Sequence, residues 1–161
     1  GLTVFEAERR YLEEILTCVQ VHEDFDVLGH LTYISKCRAH PGPRPVPYAD
    51  HREVIDEILQ TLAQKGKGME MNTSGVDRCG GFLPTADYFR RFKELAGDKA
   101  AMEVEYAAYD RAQRDALKAL ANEFGLMHSC ASDYHGNLEG ETLAHGFRRG
   151  LARPLLEALG V

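Results

Sequence analysis

The chain has 161 residues and a formal net charge of −6. That length is enough for one core of ordinary size, and no apolar run approaches the roughly 20 residues that a membrane-spanning helix needs. The acidic balance argues against a nucleic-acid surface built on bulk positive potential, but leaves room for a locally basic pocket.

The first pattern runs from Thr3 to Leu16 and is helical, with Thr3 and Glu6 spaced as a capping box. Cys18 follows on the face of Ile15, Leu16 and Val19 and reads as a small buried apolar group. Phe25-Asp26-Val27-Leu28-Gly29-His30 is a short apolar run ending in a glycine and a histidine. It predicts a buried parallel strand with an imidazole at its carboxyl end, where α/β folds gather their chemistry. The competing reading of His30 is a core histidine bonded to backbone. The segment Pro41-Gly42-Pro43-Arg44-Pro45-Val46-Pro47 must be a loop, because proline fixes φ and lacks the donor. Such a loop either borders a site, where Lys36, Arg38 and Arg44 can meet a phosphate, or is simply solvated.

A helix is expected from about Arg52 to Gln64, with Val54, Ile55, Ile58, Leu59 and Leu62 on one stripe. Gly66-Lys67-Gly68 closes it and releases a strand from Met69 to Thr73. Glu70 and Asn72 share a face of that strand; Asn72, nearer the carboxyl end, is the stronger site-lining candidate, and Ser74 follows it. A helix over Tyr88 to Leu95, a strand over Ala101 to Tyr106, a helix from Asp110 to Phe124 stopped by Gly125, and a strand over Leu126 to Ala131 complete an α/β alternation. Glu103 and Glu105 read as carboxylates exposed on an edge strand, with extra metal ligation as the alternative. His128 reads as structural.

The last strand runs into Ser132-Asp133-Tyr134-His135-Gly136. An acid and an imidazole two residues apart on extended chain project from one face, and borderline divalent ions accept both donors. A solvated turn is the competing reading. Cys18, Cys37, Cys79 and Cys130 form no Cys-x-x-Cys pair, so a zinc knuckle is not expected. Cys37 and Cys79 fall in predicted loops and Cys130 in the last strand. Unpaired thiols of this kind suit a reducing, cytoplasmic setting.

Taken in order, Phe25 to Ile34, Val54 to Leu59, Gly66 to Gly75, Leu83 to Leu95 and Ser132 to His135 resemble the PHP (polymerase and histidinol phosphatase) superfamily, in particular its histidinol-phosphatase-like members. The resemblance implies a distorted (β/α)7 barrel with two or three metal ions at the carboxyl ends of its strands. It also implies hydrolysis of a phosphate ester by a metal-activated water. Carried onto this chain, it makes His30, Asp133 and His135 ligands of divalent ions (Zn, Mn or Fe). Beside them Lys36, Arg38, Asn72 and Ser74, placed by the loop and strand reading above, are the candidate contacts to the small phosphorylated substrate that the resemblance implies, such as histidinol phosphate, an intermediate of histidine biosynthesis.

Two features depart from that pattern. Family members carry a His-x-His pair and further His and Glu ligands ahead of the segment that His30 matches, and none precedes it here. Residues 1 to 161 are therefore expected to form one PHP-like domain that is a carboxyl-terminal partial barrel, completed by a homo-oligomer or a complementing chain. An extra strand and helix intervene between Ala96 and Gly125, and the stretch from Met102 through Leu126 to Ser132-Asp133-Tyr134-His135-Gly136 looks instead like the PHP branch that acts on nucleotides or oligonucleotides. Three readings stand: a histidinol-phosphatase-like phosphomonoesterase, favoured; a PHP-type phosphodiesterase with nucleic acid as a less favoured partner; and a catalytically incomplete half-barrel.

Overall fold

The computed structural model describes residues 1–37, 44–73, 75–95, 97, 99–106, 109–131 and 149–160. They group by contact into two units, Gly1–Ala100 and Ala101–Val161.

In the first unit, α1 (Val4–Val21) starts from the expected capping box. The Thr3 hydroxyl accepts from Glu6 N at 3.2 Å, and the Glu6 carboxylate accepts from Thr3 N at 2.8 Å. Its buried stripe is Glu8, Leu12 and Val19, which turns Cys18 outward, so the expectation of a buried Cys18 is corrected. Helix α2 (Arg52–Gln64) buries the five aliphatic residues read from the sequence, packing against α1 on one side and α4 (Ala86–Glu94) on the other. Strand β1 (Val27–Leu28) runs parallel to β2 (Gly68–Met71), pairing Val27 with Gly68 and Leu28 with Met69.

Strand β1 is shorter and less buried than expected, because the chain turns at Gly29 and His30 and β2 alone pairs with it among the described residues. A glycine is required at position 68: a Cβ there would lie 2.5 Å from the Lys99 carbonyl oxygen. One turn of helix, α3 (Val76–Cys79), takes Cys79 out of its predicted loop and buries it, with its Sγ 3.4 Å from the Ser35 carbonyl.

One polar cluster binds α2 to α4. Asp56 accepts from Tyr48 Oη at 2.6 Å and from Arg91 Nε and Nη2 at 2.8 and 3.0 Å. Burial pushes the Asp56 carboxyl up, but the Arg91 and Tyr48 hydrogen bonds outweigh it and hold the group below its ordinary value of 3.8. A carboxyl depressed by folding contributes stability that is present above its unfolded value and lost as pH falls through the folded one. Asp56→Asn is therefore expected to flatten the acid limb of the stability profile from that ordinary value downward. Urea denaturation at several pH values would show this, and an unchanged slope would contradict it.

In the second unit, β3 (Ala100–Tyr106) runs parallel to β4 (Met127–Ala131), in register from Ala101 with Met127 to Tyr106 with Ala131, with an irregularity between Glu103 and Glu105. Helix α5 (Arg111–Glu123) crosses between them. Asp110 caps it by accepting from Gln113 N at 2.8 Å while Gln113 Oε1 accepts from Asp110 N at 2.9 Å, and Gly125 ends it at φ 61°. A further helix not foreseen in the sequence, α6 (Arg149–Leu159), packs on β4.

Glu103 and Glu105 correct their expectation: they are 5% and 3% exposed. Glu105 is buried because α5 supplies cations to it, Lys118 Nζ at 2.6 Å and Arg114 Nε at 3.4 Å. His128 bonds Asn122 Oδ1 at 3.1 Å, in keeping with a structural role. The expected α/β organisation is present in both units as parallel strand pairs with packed helices. Among the described residues, no helix is long and apolar enough to cross a membrane.

Candidate functional site

The first unit gathers its polar candidates where β1 and β2 end. His30 closes β1 in the left-handed region, at φ 59°, a conformation in which histidine is uncommon and needs support. Support comes through its carbonyl, which accepts from Tyr11 Oη at 2.8 Å and from Tyr33 N at 2.9 Å. The imidazole itself is exposed and lies against the Tyr33 ring, with centroids 4.8 Å apart.

The 3₁₀ turn Tyr33–Lys36 then places Lys36 over the same ring, 5.4 Å from its centroid. Lys36 Nζ also donates to Asn72 Oδ1 at 3.1 Å, which ties the end of β1 to the end of β2. Asn72 is in turn fixed by its backbone, bridging Leu83 with hydrogen bonds of 2.9 and 3.1 Å.

Glu70 belongs to the same cluster. A Cβ on Gly29 would lie 3.3 Å from Glu70 Oε2, so the bare backbone at Gly29 lets the carboxylate sit beside the turn. Burial pushes the Glu70 carboxyl up, and the neighbouring His30 and Lys36 pull it part of the way back. An exposed imidazole, an ammonium on a neutral amide and a half-buried carboxylate thus meet at one end of a parallel strand pair, the end at which such sheets bind ligands.

Of the residues singled out in the sequence, His30, Lys36 and Asn72 are brought together here, with Glu70 closer to His30 than its weaker standing suggested. Arg38, Ser74, Asp133 and His135 lie outside the described residues. Among the described residues, no three His, Cys, Asp or Glu side chains cluster as a metal site. Arg44 is committed elsewhere: its Nη2 lies 3.3 Å from the buried carboxylate of Glu8. Sequence reasoning missed Tyr11 and Tyr33, which shape the His30 turn. Tyr33 follows the strand immediately, whereas Tyr11, on α1, carried no local signal.

No family model matches the chain. It is 35% identical over 92 residues to a histidinol-phosphatase of Lactococcus lactis subsp. lactis (strain IL1403), covering 57% of this chain and 34% of that protein. It is 30% identical over 96 residues to a probable histidinol-phosphatase of Clostridium acetobutylicum, covering 57% and 36%. The fold is similar to the crystal structure of histidinol phosphate phosphatase from Lactococcus lactis subsp. lactis Il1403 complexed with zinc, L-histidinol and phosphate. That match has a TM-score of 0.59 and 26% identity, covering 78% of this chain and 48% of the other. The chain spans about a third of the length of the curated relatives it matches.

Proposed function

We propose, from the premise that the chain is histidinol-phosphatase-like over the stretch it shares with its relatives, that it serves metal-dependent hydrolysis of a small phosphomonoester, with histidinol phosphate as the favoured substrate and histidine biosynthesis as its setting. The observation that carries this reading is the meeting of His30, Lys36 and Asn72 at the carboxyl ends of β1 and β2. We read those strands as part of a PHP-type distorted barrel. The four free thiols support a cytoplasmic location.

The donor set assigned to the metal is His30, Asp133 and His135, two imidazoles and a carboxylate, which suits Zn, Mn or Fe. His30 fits that role: its exposed ring lies against Tyr33 and near the Glu70 carboxylate, and that surrounding suits an imidazole offered to a cation. Held by these residues, a divalent ion would acidify a bound water towards neutrality, and a second ion would neutralise charge on the phosphoryl oxygens. Lys36 brings a cation whose bond to the neutral Asn72 amide is weaker than one to a phosphate oxygen, so the ester can draw it over. Asn72, fixed by its bridge to Leu83, offers its amide to the same substrate. Arg38 and Ser74 complete the proposed substrate contacts.

Initial rates with histidinol phosphate and with a short oligonucleotide, each with zinc or manganese added, test the assignment. Faster turnover of the phosphomonoester is expected. Preference for the oligonucleotide would overturn it in favour of a phosphodiesterase.

A further inference from the structure

The second unit holds a cavity of about 330 Å³ lined by Glu105, Arg111, Arg114, Asp115, Lys118 and Leu151. We propose that it binds a small phosphate-bearing anion. Three cations face two carboxylates there, and neither carboxylate uses up its partners. Glu105 is closely engaged by Lys118, at 2.6 Å. Arg114 approaches the same carboxylate at 3.4 Å without forming a hydrogen bond, and its buried Nε has no hydrogen-bond partner among the described residues. Arg111 meets Asp115 only at 3.7 Å, beyond hydrogen-bond length, with its side chain 96% exposed.

A buried guanidinium N–H without an acceptor is a standing cost that an oxygen ligand removes. Two arginines three residues apart on α5 line one space, and guanidinium groups suit the several oxygens of a phosphate. Lys118 adds a point charge, Leu151 closes an apolar wall, and the volume is at the small end of ligand pockets. Glu105 has a defined part in this design: it holds Lys118 and Arg114 in place while competing with the ligand for them.

Amide-resolved NMR titration of the full chain with inorganic phosphate, without added divalent ion and at constant ionic strength, tests the proposal. Saturable shifts are expected at the amides of residues 105 and 111–118. Arg111→Gln, at an exposed position that cannot disturb the fold, and Arg114→Gln should each weaken binding on the order of tenfold. Glu105→Gln should tighten it severalfold, because two cations lose their competitor. A parallel titration with glycerol 2-phosphate separates the sources: tighter binding than inorganic phosphate identifies a phosphomonoester ligand, and weaker binding identifies the free ion. Absence of saturation at these amides, or shifts that survive both arginine substitutions, would overturn the proposal.

Discussion

His30→Ala is expected to lower phosphomonoester turnover by at least about a hundredfold, since even partners one shell beyond a metal ligand act on that scale. The substitution removes a nitrogen donor without removing core packing, because the imidazole is exposed and its supports reach the backbone carbonyl instead. Alanine at a positive φ costs roughly 1–2 kcal/mol at most, so function and folding separate cleanly. Zinc affinity, measured by competition with a chromophoric chelator, should fall together with turnover. Tyr11→Phe provides the graded comparison: it deletes the 2.8 Å bond to the His30 carbonyl and loosens the turn while leaving the donor present, so a smaller loss is expected. Full turnover and unchanged zinc affinity in a folded His30→Ala protein would remove His30 from the metal set.

What the sequence makes legible is whatever is decided within one turn or one strand. The Thr3–Glu6 cap, the α2 stripe from Val54 to Leu62 and the stop at Gly125 are local choices, and each is found. The turn at His30 was legible as an end to the strand, although not as a left-handed residue held by Tyr11 from α1. Glu105 shows why alternation alone misleads. A carboxylate on a strand looks solvent-facing until Lys118, a helix later, removes the electrostatic cost of burying it. Cys18 fails for a geometric reason: it lies one position, about 100° of helix rotation, from the inward Val19. Arg44 had chemistry suited to a phosphate, and only the tertiary approach of Glu8 decides its partner.

That same Glu8 carries the second large effect. Glu8→Ala is expected to destabilise the chain by about 3 kcal/mol, where the costs of an orphaned polar group and of a broken buried ion pair overlap. Glu8 and His51 are both fully enclosed, with His51 Nε2 at 3.1 Å from Glu8 Oε2, and Phe5 stacks on the imidazole with centroids 4.5 Å apart. His51 Nδ1 already lacks a partner among the described residues, so loss of Glu8 leaves the ring with neither nitrogen satisfied. Arg44 is 43% exposed and regains water, which keeps the figure near the lower end for buried pairs. Glu8→Gln, which retains an acceptor for both neighbours, should cost less. A double-mutant cycle with His51→Ala by urea denaturation isolates the coupling. Near-additive losses would show that the two side chains fill space rather than hold each other. Strong coupling would mean that α1 anchors the segment from Arg44 to His51 through the buried Glu8–His51 contact, with Tyr88 Oη on the Val46 carbonyl at 3.1 Å as its second tether.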